Sequence, residues 1–127
     1  MTTKQITVIV IDDDPDTAEL LGEYLEIKGI KVLGKGYDGK EAVELYSKLK
    51  PDIVFIDAVM PNYDGFYGLE QIRKLDPNSK IIMATGDLTT DTSRLLDELK
   101  ATAIIYKPYE FNDIMTIIEK LKHSEVR

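Results

Sequence analysis

Five short apolar runs alternate with five longer amphipathic stretches along the whole chain. The runs cover residues 6–11, 30–33, 53–57, 80–84 and 103–106, and most are rich in Ile and Val. Continuous apolar, β-branched runs of this kind mark strands covered on both faces. Between them, apolar residues recur at three- and four-residue spacing. Leu20, Leu21, Tyr24, Leu25 and Ile27 form one such set, and Ile114, Ile117, Ile118 and Leu121 another. That is the pattern of a helix with one buried stripe. Strands and helices in strict alternation build a parallel sheet with helices on both faces, and right-handed crossovers leave few topologies. The expected fold is α/β, a doubly wound five-stranded parallel sheet of (βα)5 type.

Turn and cap residues set the boundaries. Asp14 before Pro15 reads as an N-cap with proline at the first helical position. Gly29 closes that helix. Gly34, Gly36 and Gly39 read as a turn, and Asp38 as the cap of a second helix through Ala42, Val43, Leu45, Tyr46 and Leu49. Lys50-Pro51-Asp52 stops it. Met60 to Gly65 is a loop rich in turn formers. A third helix runs to about residue 75, a fourth covers about 90–99 and the last about 110–122.

Composition narrows the chemistry. A chain of 127 residues implies a single domain over 1–127, with an ordered core about 5–122 and no output domain. It has no cysteine, which excludes disulfides and thiolate metal sites. The lone His123 lies near the C-terminus, which argues against a histidine metal site or general base. A net charge of −7 argues against direct nucleic-acid binding and against anionic membrane surfaces. No apolar run approaches the roughly 18 residues that span a bilayer. The polar opening Met1-Thr2-Thr3-Lys4-Gln5 is no secretory signal, so a cytoplasmic location is expected.

In a parallel sheet the C-terminal strand ends share one edge, where open α/β sheets carry their sites. Strand one ends in Asp12-Asp13, strand three in Asp57, strand four in Thr85 and strand five in Lys107. Two carboxylates about 4 Å apart repel by roughly 4 kcal/mol at an effective dielectric near 20. Three on one edge therefore call for a cation, and Mg2+ with oxygen ligands is the natural one. Lys107 can neutralise a bound anion and Thr85 can donate to it. A metal, a lysine and a hydroxyl around a carboxylate form a constellation for phosphoryl transfer, with Asp57 as nucleophile.

The pieces Val10-Ile11-Asp12-Asp13-Asp14, Phe55-Ile56-Asp57, Met60-Pro61, Asp64-Gly65, Ile82-Met83-Ala84-Thr85 and Lys107-Pro108 stand in one order. Through them the chain resembles the receiver domain of two-component response regulators, the CheY-like family, over essentially its whole length. The resemblance implies a flavodoxin-like strand order 2-1-3-4-5. It implies Mg2+ (or Mn2+) held by Asp12, Asp13, Asp57 and the backbone carbonyl of Val59. Asp57 would accept a phosphoryl group from a phosphohistidine, with Thr85 and Lys107 contacting the phosphoryl oxygens. The implied partners are a sensor histidine kinase or histidine phosphotransfer protein, and a downstream protein on the helix 4, strand 5 and helix 5 face, about residues 90–122. A phosphorylation-dependent homodimer is also implied. The chain would catalyse its own phosphorylation and dephosphorylation and would not be a conventional enzyme.

Some positions depart from the family pattern. Ile104 stands where members often carry an aromatic residue that changes rotamer on activation. Tyr106 shares its facing parity, so Thr85, Ile104 and Tyr106 are the candidate switch residues. Gly86, Lys100 and Tyr109 replace the usual Ala, Gly and Phe. Val59 and Asp87 are expected to tune water access to the acyl phosphate.

Competing readings are weaker. Asp14 as a further metal ligand competes with its capping role, which also explains Pro15. An EF-hand match at Asp12, Asp14, Asp16 and Glu23 places Thr17 where glycine is needed. Residues 34–40 match most of a phosphate-binding loop, but Glu41 stands where a hydroxyl should bind the metal. A haloacid dehalogenase-type phosphatase would need Thr or Val at Asp16. A degenerate receiver used only for docking or dimerisation would not need the intact acid, Thr and Lys set.

Overall fold

The computed structural model describes residues 5–86 and 89–124. Its strands are β1 (Thr7–Ile11), β2 (Lys31–Gly36), β3 (Ile53–Asp57), β4 (Lys80–Thr85) and β5 (Ala103–Tyr106). Its helices are α1 (Pro15–Ile27), α2 (Gly39–Leu49), α3 (Gly65–Leu75), α4 (Thr90–Leu99) and α5 (Phe111–Ser124). The strands form one sheet in the order β2-β1-β3-β4-β5, and each neighbouring pair is parallel. The expected doubly wound α/β fold and its strand order are both present.

Alternate residues of each strand feed two cores, which is why the central runs are apolar throughout. Val8, Val10, Phe55 and Ile82 pack with Leu21, Leu25, Ile114 and Ile118 of α1 and α5. Ile9, Ile11, Val54, Ile56 and Met83 pack with Ala42, Leu69, Ile72 and Leu96 of α2, α3 and α4. Burying one such side chain stabilises the fold by about 1.5–3 kcal/mol before entropy is counted. The two-sided core holds β3 in the middle of the sheet, and Asp57 is its last residue.

Helix starts follow local hydrogen-bond chemistry. Asp14 accepts from the Asp16 amide and from the Thr17 hydroxyl, at 3.2 and 2.7 Å. Asp38, Asp64 and Thr89 cap α2, α3 and α4 in the same way. Gly29 follows α1 with a left-handed φ of 85°, which glycine adopts without strain.

One strand is longer than its sequence suggests. Gly34 and Gly36, expected to form a turn, lie inside β2. A Cβ at Gly36 would come 2.9 Å from Ile11 Cδ1 and 3.1 Å from Glu41 Cβ. A Cβ at Gly34 would meet Leu49 and Leu45 at 3.2 and 3.3 Å. These glycines let α2 lie close to the edge strand, and the register shifts between Val8 and Ile9 where β1 pairs with them. A phosphate-binding loop at 34–40 is thereby excluded. Glu41 Oε1 accepts the Tyr37 amide at 2.6 Å, which occupies the carboxylate in closing the turn.

At the opposite edge of the sheet from Asp57, Arg73 ties three elements together. Its guanidinium donates to Ser79 Oγ at 3.1 Å, the Lys100 carbonyl at 3.0 Å and Thr102 Oγ1 at 2.9 Å. Lys100 ends α4 with φ 55°, a left-handed conformation that costs an L-residue about 1 kcal/mol. Lys100→Gly is therefore expected to raise stability by roughly 0.5–1 kcal/mol in urea unfolding. Among the described residues, the Tyr24 hydroxyl is the one buried side-chain polar atom without a partner. Its ring stacks on Phe111 at 4.3 Å. Tyr24→Phe keeps the stack and removes the orphaned hydroxyl, so unfolding midpoints are expected to stay level or rise, by up to about 1 kcal/mol. A clear loss would show a hydrogen bond to that hydroxyl.

Candidate functional site

Asp12 follows the last residue of β1, and its amide donates to the Gly36 carbonyl of the edge strand at 3.1 Å. Its Oδ1 accepts the Asp14 amide at 2.9 Å, which holds the carboxylate in place. Asp57 ends the central strand. Asp12 and Asp57 are only 6% and 7% exposed, whereas Asp13 lies open to solvent. The three carboxylates offer oxygen atoms within 4.8 Å of one another.

Close backbone packing makes room for the β3–α3 turn. The Gly65 amide donates to the Ala58 carbonyl at 3.0 Å, and a Cβ at Gly65 would overlap the Asp57 carbonyl oxygen. The α3 N-terminus can lie against Asp57 only because residue 65 is glycine.

Lys107 reaches this pair from beyond β5. Its Nζ donates to Asp12 Oδ2 and to Asp57 Oδ2, each at 3.2 Å. Its amide donates to the Thr85 carbonyl at 2.8 Å, which anchors the lysine's backbone to the end of β4. Thr85 itself is fully buried. One ammonium thus answers three carboxylates, and that charge count favours an added cation.

The titration shifts reflect the same arrangement. Burial raises the Asp57 pKa above the ordinary carboxylate value, and the Asp12 charge adds to the rise. Lys107 and a hydrogen bond from the Val59 backbone oppose it. Burial works against the Lys107 ammonium, but Asp57 and Asp12 outweigh it and raise its pKa. The donor set is all oxygen and carries negative charge, which suits a hard divalent ion. Asp12, Asp13 and Asp57 therefore fit a metal such as Mg2+.

The structure brings Asp12, Asp13, Asp57 and Lys107 together and sets Thr85 at the same sheet edge. Val59 follows at the rim and is 54% exposed. Ile104 is half-buried against the α2–α4 core and pairs with Met83. Tyr106 pairs with Thr85 and is 52% exposed, so the two parity-related candidates sit in different surroundings. Asp87 lies outside the described residues. Asp14 acts as a cap and points its carboxylate to Asp16 and Thr17. The sequence reading did not place Tyr109 at the site, yet it lines the cavity that touches Asp12 and Asp57. The signal was an aromatic residue directly after Lys107-Pro108.

Among the described residues, no helix is long and apolar enough to cross a membrane. A family model described as the response regulator receiver domain matches residues 8–119. The chemotaxis protein CheY of Thermotoga maritima is 33% identical over 116 residues, covering 90% of this chain and 95% of that protein. A CheY-like response regulator receiver domain protein from Methanospirillum hungatei superposes with a TM-score of 0.88 at 27% identity, over 96% of this chain and 98% of that one. CheY of Borrelia burgdorferi, solved in a complex with CheX, BeF3 and Mg2+, gives 0.84 at 25% identity, covering 91% and 88%.

The Asp57 shift has a sign that can be measured. Its carboxyl holds a proton more tightly folded than unfolded. That contribution to stability is fully present below the unfolded value of 3.8 and is lost as pH rises through the raised folded value. In EDTA, Asp57→Asn is expected to be at least as stable as wild type at pH 7. Urea unfolding from pH 7 to pH 4 should show that advantage shrinking. An advantage that grows as pH falls would contradict it.

Proposed function

The chain belongs to the response regulator receiver domain family, and on that premise we propose that it is a phosphoacceptor module in which Asp57 takes a phosphoryl group from a phosphohistidine. The donor is a sensor histidine kinase or a histidine phosphotransfer protein. The observation that carries this reading is Lys107 Nζ at 3.2 Å from both Asp57 Oδ2 and Asp12 Oδ2. An ammonium held beside the Asp57 carboxylate supports this reading, because an arriving phosphoryl oxygen would need such a positive charge.

In this reading an Asp57 oxygen attacks phosphorus as the P–N bond of the donor breaks, and the leaving imidazole takes up a proton. The carboxylate becomes an acyl phosphate. Lys107 moves its ammonium from Asp57 to a phosphoryl oxygen, and the Thr85 hydroxyl donates to another. Asp12, Asp13, Asp57 and the Val59 carbonyl would hold Mg2+, and the ion would supply charge neutralisation for the phosphoryl oxygens. Hydrolysis later returns the carboxylate, so the domain turns over its own phosphorylation.

Output follows from the same movement. Tyr106 lies beside Thr85 in the sheet and is half-exposed. Helix α4 is lightly anchored, with Thr92 and Leu96 as its buried residues and Leu95 partly exposed. A pull on Thr85 and Lys107 would therefore shift the α4, β5 and α5 face, about residues 90–122, toward a downstream protein or a second copy. A few kcal/mol of differential contact is enough for such a shift.

The test is uptake from a small-molecule donor. With acetyl phosphate and Mg2+, the intact mass should rise by one phosphoryl group. EDTA or Asp57→Asn should abolish the gain. Lys107→Ala should slow it by about 100-fold, the scale of losing one charge-stabilising donor. An unchanged mass for wild type, or full uptake by Asp57→Asn, would overturn the reading.

A further inference from the structure

Tyr109 is a polar side chain beside the acidic pair that the proposed chemistry leaves without a role, and it lines two cavities. The inner cavity, about 10 Å3, touches Asp12, Asp57 and Thr17. The outer groove, about 460 Å3, opens beside Lys107 and Phe111. Thr17 and Tyr109 line both, so they form the wall between the acidic pair and the groove. The Thr17 hydroxyl already donates to Asp14 Oδ2 at 2.7 Å. The Tyr109 phenol is then the neutral donor left in that wall.

The surroundings of the ring support the assignment. Tyr109 and Phe111 pack with ring centroids 6.3 Å apart, which restrains the phenol's swing. Its hydroxyl lies in the field of Lys107, Asp12 and Asp57. A protonated phenol donates one hydrogen bond. The inner cavity is at the lower limit for a single water.

We propose that Tyr109 is a positioning residue of the acceptor site, its hydroxyl donating to the Asp12–Asp57 carboxylate pair through one water in the inner cavity. That donor steadies the Asp57 carboxylate in the orientation that attacks phosphorus. The inference rests on the phosphoacceptor reading above. Phenylalanine at this position keeps the ring and its packing and loses only the donor.

Tyr109→Phe separates the two roles of the side chain. With acetyl phosphate and saturating Mg2+, its maximal rate of phosphoryl uptake should fall about three- to tenfold, the range one neutral hydrogen bond supports. The half-saturating acetyl phosphate concentration and the thermal midpoint should match wild type. An independent readout uses wild type labelled with 3-fluorotyrosine. The 19F resonance missing from the Tyr109→Phe spectrum should shift when Mg2+ alone is added. An unchanged maximal rate overturns the proposal, as does a slower rate with an unshifted resonance. A wild type that gains no phosphoryl group defeats the phosphoacceptor reading instead, and the 19F shift then still decides whether Tyr109 is coupled to the carboxylate pair.

Discussion

One ammonium group, Lys107 Nζ, bridges the two buried carboxylates Asp12 and Asp57 across the end of the sheet. The bridge links segments 95 and 50 residues away in sequence, so it exists only when β1, β3 and the segment after β5 are in register. It also explains how two buried acids are tolerated side by side. Breaking a pair of this kind by removing one partner would leave an uncompensated buried charge, which costs about 3–5 kcal/mol when burial is complete. Lys107 is partly exposed, so its own loss would cost less than that range. The third acid, Asp13, is open to solvent and leaves the site with unanswered negative charge.

Rigid elements hold that unbalanced charge in place. β3 is buried along its whole length between two cores, so Asp57 cannot drift. Gly65 brings α3 against the backbone of Asp57, and the Asp14 amide pins Asp12. Around this fixed centre the loosely anchored parts are α4 and the exposed Tyr106. A change of charge at Asp57 is therefore met by a stiff sheet on one side and a lightly held face on the other. In the proposed mechanism, that contrast would carry a new bond at Asp57 to the surface.

Much of this was readable from residue order, for physical reasons. Runs such as Ile53 to Ile56 are apolar on both faces only where both faces are covered, and that pattern gave the parallel sheet. Once the sheet is parallel, Asp12, Asp57, Thr85 and Lys107 must share an edge. Asp14 was correctly read as a cap because Pro15 admits little else. The glycines of β2 misled because Gly34 and Gly36 carry the usual signature of a turn. Their real constraint is the approach of α2, a tertiary contact that no local pattern encodes. Tyr109 was missed for a similar reason. An aromatic side chain reads as packing until the two cavities on either side of it are seen.

Locating the modified residue itself tests the account most directly. Protein treated with acetyl phosphate and Mg2+ can be reduced with borohydride, which converts an acyl phosphate on aspartate to homoserine, and then mapped by tandem mass spectrometry. The account predicts homoserine at Asp57, at no other acid, and only when Mg2+ is present. Homoserine at Asp12 or Asp13, or its appearance at Asp57 without any divalent ion, would contradict it.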